Sequence, residues 1–514
     1  MKRYFLHSFI SALFFFISLP PTFSFFVLFI FFAFVPLFLI EKDLFRRNKS
    51  VFWIFPYAYL AFSLFNFLTT FWVEKASPDF GEGLFAVLCN SLFMTITFLL
   101  YCITHRWVLK YFSKNRFRIK VIGLFLISVF WIGFELLHMT WDLNWPWLTL
   151  GNVFADCPSW IQWYSYTGVL GGTIWVLILN FLFFQTYLNF PFENKLKFKN
   201  HLFVLSLFFF PFLLSKIMYY NFSQDGEEIN ILVAQPNMNP NYSYNYLECK
   251  DYFSKLITKN LNDDIDYVVF PESFFPHESY YSNFIDDFLK NYEKTNFIFG
   301  VPIKRFNKKY NSAVQINYNY LKTKEQQYHY KSKLVPGPEL TPFSSALQPL
   351  LDFSGLSLQL GGLDKGDSIN VFSSHDGDYL IAPIICYESV FPNHVRKFIK
   401  KGAQAIFIIT NDGWWGDSKG RVQHNSYARM RAIESRRYVV RSANTGISSI
   451  ISPRGDFVRQ MQSNTEGSFV KKISLFTDKT FYVKYGNILI FLYLASCILV
   501  LPKINFKQPK NKNI

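Results

Sequence analysis

Leu380-Ile-Ala-Pro-Ile-Ile-Cys386-Tyr-Glu-Ser389 is a strongly apolar run that ends on a thiol and then a polar turn. A run this short and this apolar predicts a buried strand. Working outward, similar β-branched or apolar runs recur at 231–234, 267–270, 297–301, 313–316, 405–410 and 447–451. Helix-like stretches fall between some of them, at 247–260, 281–291, 392–401 and 424–437. Strands alternating with helices predict an α/β layered domain spanning 221–482.

On either side of that domain the sequence changes character. Residues 1–220 are mostly apolar runs broken by short polar stretches, and one more apolar run follows at 483–501. A bilayer core takes about 20 apolar residues per helix. By that measure 5–19, 22–40, 51–73, 84–105, 119–140, 163–190, 200–220 and 483–501 predict a multi-span helical membrane bundle of about eight spans. Only Pro20-Pro21 separates the first two, so they are also compatible with a tight helical hairpin. The expected organisation is a bundle over 1–220, a catalytic domain over 221–482, and a last span with a basic tail over 483–514. The N-terminus begins Lys2-Arg3 and then turns apolar, as a signal peptide would, but no small-residue cleavage site follows and an uncleaved first span is expected.

The net charge of +16 first suggests a nucleic-acid partner. Its placement excludes one. Segments 1–4, 41–50, 106–120, 191–200 and 503–514 hold 19 Lys/Arg against Glu41, Asp43 and Glu193, which accounts for the whole excess. The opposite loops carry Glu74, Asp79, Glu82, Asp142 and Asp156. Basic residues flanking alternate ends of lipid spans follow the positive-inside rule and do not form one face of a soluble module. Both termini are therefore expected in the cytoplasm and the α/β domain outside it.

Three strand ends carry reactive side chains: Glu272 after Tyr267-Val-Val-Phe-Pro, Lys331 after Tyr328-His-Tyr, and Cys386. A thiol attacks well only when deprotonated, so a nearby carboxylate serves as base. An ammonium favours the thiolate and steadies an oxyanion. Taken singly, each residue has an ordinary structural explanation; the three types together predict acyl transfer through Cys386. Lys333 competes with Lys331 for the cationic role. Trp414 and Trp415, in Asn411-Asp-Gly-Trp-Trp-Gly416, fit either a buried tight turn or an aromatic wall for an acyl chain. Asn144-Trp-Pro-Trp147, just beyond the fifth span, is expected to be an interfacial aromatic belt rather than a substrate contact. The six cysteines show neither metal-ligand spacing nor a disulfide framework, so no metal is expected.

In these positions the chain resembles the nitrilase superfamily and, within it, the bacterial apolipoprotein N-acyltransferases. The resemblance rests on Ala234-Gln-Pro-Asn237, Phe270-Pro-Glu272, Tyr310-Asn-Ser-Ala313, Tyr330-Lys-Ser-Lys-Leu-Val-Pro336 and Ile385-Cys-Tyr-Glu388. It continues through Thr410-Asn-Asp-Gly-Trp-Trp-Gly-Asp417, His424 with Ala428-Arg-Met-Arg-Ala432, and Arg441-Ser-Ala-Asn-Thr-Gly446. It departs from the family pattern at Pro336-Gly-Pro-Glu339 and in the Tyr-rich stretch after Asn237.

The resemblance implies an αββα sandwich and the catalytic set Glu272, Lys331 and Cys386. It adds Glu339, Tyr387 and Glu388 as supporting residues, with Asn311, Trp414 and Trp415 as substrate-binding candidates. The implied reaction moves a fatty acyl group from a membrane phospholipid, through a cysteine thioester, to the amino terminus of a diacylglyceryl apolipoprotein at the bacterial inner membrane, without a cofactor. The alternative is a membrane-tethered amidase or nitrilase, in which water completes the second half.

Overall fold

The computed structural model describes residues 1–76, 81–111, 116–188, 195–282, 284–343 and 362–499. Among the described residues, six helical stretches are long and apolar enough to cross a bilayer: Ser24–Arg46, Val51–Ala76, Glu82–Lys110, Val121–His138, Val169–Tyr187 and His201–Tyr220. The first apolar run forms a shorter helix, Lys2–Ser18. The last one starts later than its hydropathy suggests. A short helix, Phe481–Tyr485, stops at Gly486 in the left-handed region, and Ile488–Leu499 follows.

Phenylalanine does two jobs in the bundle. Phe31, Phe34, Phe62 and Phe98 are fully buried with Trp131, and Phe34 meets that indole edge-on at 4.7 Å. Phe203, Phe209 and Phe210 instead lie on the exposed face of His201–Tyr220, a helix suited to face lipid because little of it is covered by protein. Van der Waals packing of such rings, not their removal from water, holds the bundle together, because lipid tails are as apolar as the rings themselves.

The α/β domain holds twelve strands among the described residues. In chain order these are β1 Glu227–Gln235, β2 Tyr267–Val269, β3 Asn296–Arg305, β4 Lys308–Ile316, β5 Gln327–Tyr330 and β6 Phe372–Ser373, then β7 Leu380–Ile385, β8 Ala405–Thr410, β9 Val439–Ala443, β10 Ser449–Ile451, β11 Phe457–Gln460 and β12 Gly467–Leu475. They form two six-stranded sheets, ordered β12-β1-β2-β3-β4-β5 and β11-β10-β9-β8-β7-β6. The centres are parallel (β1–β2–β3 and β7–β8–β9), and antiparallel strands complete both sheets. Ile231, Val233 and Val269 of the first sheet share one core with Ile385, Phe407 and Val440 of the second. Helices cover the outer faces. Phe253 and Leu256 of Tyr246–Thr258 pack on the first sheet. Val395 and Phe398 of Pro392–Lys400, with Ala428 and Ala432 of Lys419–Ser435, pack on the second. The result is an αββα sandwich.

The helix Lys419–Ser435 is buried on both sides, because its other face is fastened to the bundle. The Gln423 amide accepts from the indole N–H groups of Trp72 (3.2 Å) and Trp147 (2.8 Å) and donates to the Pro20 carbonyl (2.8 Å). Tyr427 donates to the Trp147 carbonyl (3.0 Å), and Glu434 accepts from the Val169 N–H (2.9 Å). Trp147 is therefore fully buried in the seam between bundle and sandwich. An interfacial belt for Asn144-Trp-Pro-Trp147 is not what forms at this position: the indole N–H finds its partner in the docked domain, not in lipid headgroups.

Candidate active site

Strand ends build the site. β2 delivers Glu272 through Pro271, and β3 runs so close beneath it that a Cβ on Gly300 would lie 2.5 Å from the Glu272 Cα. Only glycine allows that approach. The Glu272 carboxylate is buried and held from three directions. Lys331 Nζ reaches Oε1 at 3.0 Å, Asn311 Nδ2 donates to the same oxygen at 2.7 Å, and the Asn411 N–H donates to Oε2 at 2.9 Å.

Lys331 follows β5, its N–H bonded to the Asn311 carbonyl at 2.8 Å. Its ammonium pairs with two carboxylates, Glu272 at 3.0 Å and Glu339 at 2.7 Å. Burial works against the charged form, but Glu272 and Glu339 together hold the Lys331 ammonium well above its ordinary range. Glu339 is itself fixed by the Val335 N–H at 2.9 Å. Lys333, the rival candidate, points elsewhere, its Nζ 4.9 Å from the Phe391 ring centre and 3.4 Å from the Met139 carbonyl.

Cys386 stands where β7 breaks into a 3₁₀ turn, with φ at +48°. That conformation costs a non-glycine residue about 1–2 kcal/mol and lifts the thiol out of the strand toward Glu272 and Lys331. The thiol is almost fully buried. Burial pushes it up and Glu272 adds to the effect, while Lys331 opposes both. At rest the site therefore holds a neutral thiol beside an ammonium. A thiol held neutral gives up its proton as it attacks, not in advance.

Residues 232–477 match the carbon–nitrogen hydrolase family, and residues 11–182 match the apolipoprotein N-acyltransferase N-terminal domain. The two domains occur together in one chain, the N-terminal domain before the hydrolase domain. The chain belongs to the apolipoprotein N-acyltransferases. Relatives bearing that name include one from Chlorobaculum tepidum, 27% identical over 76% of this chain and 76% of its own. Another, from Wigglesworthia glossinidia brevipalpis, is 27% identical over 84% of this chain and 85% of its own. A third, from Haemophilus influenzae, is 29% identical over 73% and 74%.

In this N-acyltransferase the supporting residues join the strand ends to one another. Glu388 is fully buried and accepts from the Ser332 N–H at 2.8 Å and the Ile385 N–H at 2.9 Å, tying the turn after Lys331 to the turn that carries Cys386. His329 lies 3.0 Å and His394 3.1 Å from its two oxygens. Burial alone would raise Glu388, but the two imidazoles override it and hold the carboxyl well below the usual range. The Tyr387 hydroxyl donates to the Asn144 carbonyl at 2.9 Å, a second fastening to the bundle. The Asn311 amide is engaged by Glu272 and holds that carboxylate in place.

The two tryptophans separate. Trp414 is half exposed and borders a cavity of about 210 Å³ that also touches Glu272, Tyr242 and Tyr244. Trp415 turns toward the bundle and packs 4.9 Å from Trp72 and 5.4 Å from His424. Two clusters have metal-ligand composition: His329 with Glu388 and His394, and Cys386 with Asp412 and His424. Their carboxylates are already engaged, Glu388 as described and Asp412 by Thr410, His424 and Arg441. Asp412, His424 and Arg441 lie within quoted motifs, yet their part in the site was not read from the sequence. Their order carried no signal of contact with the thiol's main chain.

Proposed function

We propose that Cys386 is the acyl carrier of this N-acyltransferase, with Glu272 as base, Lys331 as oxyanion partner, and a membrane phospholipid as donor. The chain is an acyltransferase of lipoprotein maturation, and its acceptor is the amino terminus of a lipid-modified cysteine. As Sγ attacks the phospholipid ester carbonyl, Glu272 takes the thiol proton and the Lys331 ammonium steadies the oxyanion. Collapse of the tetrahedral intermediate breaks the ester C–O bond. The lysophospholipid oxygen leaves with the proton from Glu272, and the acyl group stays as a thioester. The acceptor amine then attacks the thioester, Glu272 receives an amine proton, and the departing sulfur takes it back, leaving an amide.

The observation that carries this reading is the Lys331 ammonium paired with Glu272 and Glu339. It keeps a full positive charge beside a buried neutral thiol, which suits stabilising an anion that exists only in the transition state. Glu339, Glu388 and Tyr387 act as its supports, and Trp414 borders the reacting groups from the cavity side.

Placement follows from charge. The excess of Lys/Arg at 1–4, 41–50, 106–120, 191–200 and 503–514 supports cytoplasmic termini, a sandwich on the outer side of the inner membrane, and a division of the chain at 220 and 482. The apolar runs at 5–19 and 483–501 complete an eight-span arrangement in that reading. Both substrates are lipid-anchored, which accounts for fastening a hydrolase-type sandwich to a bundle. Mass spectrometry of the full chain incubated with phospholipid vesicles tests the mechanism. The expected result is a fatty-acyl adduct on Cys386, released by an amine acceptor; an enzyme that transfers acyl groups with no such adduct rules the mechanism out.

A further inference from the structure

The carbonyl of Cys386 is held as closely as its side chain. Ser389 Oγ donates to it at 2.7 Å, and His424 Nε2 lies 3.2 Å from the same oxygen and 2.8 Å from Ser389 Oγ. On its other edge His424 Nδ1 meets Asp412 Oδ1 at 3.0 Å. Asp412 is anchored by Thr410 Oγ1 at 2.9 Å and by the Arg441 guanidinium. His424, Asp412 and Arg441 are all fully buried. The preceding residue is Gln423, which bonds to Trp72, Trp147 and Pro20 of the bundle. One helical step thus separates the bundle's contact point from the support of the nucleophile's main chain.

We infer that His424 is a positioning residue for the acyl-transfer reaction: it holds the Cys386 peptide in its left-handed turn and ties that turn to the membrane bundle through Gln423. The inference rests on the Cys386 mechanism above and adds a residue to it. The left-handed φ of Cys386 is an uncommon one for a non-glycine residue and needs its surroundings to hold it. Two donors on the carbonyl restrain that backbone conformation, and with it the Cα–Cβ bond from which the sulfur is aimed. Without them the residue relaxes toward an ordinary β or α conformation, and the sulfur leaves the reach of Glu272 and Lys331. Among the facing groups, Arg441 Nη2 lies 3.1 Å from Nδ1, and the rings of Trp147 and Trp415 pack at 5.7 and 5.4 Å. Burial and Arg441 outweigh Asp412 and keep the imidazole neutral; the inference assigns its one N–H to Nε2, facing the Cys386 carbonyl, with Nδ1 accepting from Arg441 Nη2.

The experiment compares the full-length chain and its His424→Ala, His424→Gln and Ser389→Ala variants in lipid nanodiscs. Two rates are read, that of Cys386 alkylation by iodoacetamide and that of acyl-enzyme formation from phospholipid, with thermal unfolding as the folding control. Misplacing a reacting atom by about 1 Å costs on the order of 100-fold. We expect His424→Ala to lower acyl-enzyme formation by about that factor and to change the alkylation rate, with the KM for phospholipid unmoved. His424→Gln, which can still donate an amide N–H to the carbonyl, should recover most of the loss. A folded His424→Ala enzyme with wild-type rates overturns the inference, as does a loss that His424→Gln leaves unrepaired. If His424→Ala does not fold, Ser389→Ala decides, because it removes the other donor to the same oxygen: slowed acyl-enzyme formation supports the inference and an unchanged rate overturns it. Absence of acyl-enzyme in the wild-type chain would instead count against the Cys386 mechanism itself.

Discussion

Lys331 Nζ stands 3.0 Å from a Glu272 oxygen, and both side chains are buried. Glu272 and Glu339 hold the lysine in its cationic form, and the pairing serves stability as well as chemistry. Removing the lysine would leave Glu272 and Glu339 facing each other without a counter-charge. Lys331→Met should therefore abolish acyl-enzyme formation and also cost about 3–5 kcal/mol of stability. Adding Glu339→Gln should return part of the stability and none of the activity. Thermal unfolding in detergent alongside an acyl-enzyme assay separates the two effects.

Cys386→Ala should leave membrane insertion and unfolding temperature close to wild type while eliminating transfer, because Thr410, the thiol's side-chain hydrogen-bond partner, is also held by Asp412. Retained transfer by the alanine variant would remove the thioester from the mechanism. The readout is acyl-group appearance on a lipopeptide acceptor.

The thiol should titrate late. Burial and Glu272 raise Cys386 above the ordinary thiol range, so alkylation should climb continuously with pH through about 8.5, the unperturbed value, with no plateau near neutrality. Glu272→Gln removes the neighbouring negative charge and should lower the thiol pKa, making alkylation faster at alkaline pH even as acyl transfer is lost. A plateau near pH 7 in the wild-type profile would contradict the resting neutral thiol.

Glu388 sets an acid limit. Its carboxyl is held well below the usual range by His329 and His394. A depressed carboxyl adds stability above its unfolded pKa, roughly 4.3, and the contribution is lost as pH falls from there through the folded value. Glu388→Gln should therefore be less stable than wild type at pH 7, and the difference should shrink as pH drops below about 4. Unfolding curves at several pH values would show the convergence; parallel curves would argue against it.

Much of this was legible in the amino-acid order. Uninterrupted apolar runs gave away β2, β7 and β8, because strands buried on both faces carry few polar residues. β9 and β12 were not read. Arg441 and Ser442 interrupt the apolar pattern of β9, although both are buried by polar partners. β12 carries Lys471 and Lys472 at the edge of its sheet, where alternate side chains face solvent. Glu272, Lys331 and Cys386 could be picked out because each closes a strand. Lys331 and Lys333 could be separated only in three dimensions, since both sit in the same short turn. His424 works through a main-chain oxygen, and no residue pattern records where a carbonyl points.

Glu227, at the start of β1, lies opposite Leu475, at the end of β12. The polypeptide thus enters and leaves the sandwich side by side at one corner. A body hung from one corner is free to pivot, and the covalent links alone cannot set its tilt against the bilayer. That task falls to the side-chain contacts with the helices and loops beneath, among them those of Gln423, Tyr427, Glu434 and Tyr387, with Ser426 on Asp156 and Arg436 on Gln162. Cutting the backbone near residue 225 would sever a tether without releasing the sandwich, whereas loosening that whole set of contacts would let it swing away with both tethers intact.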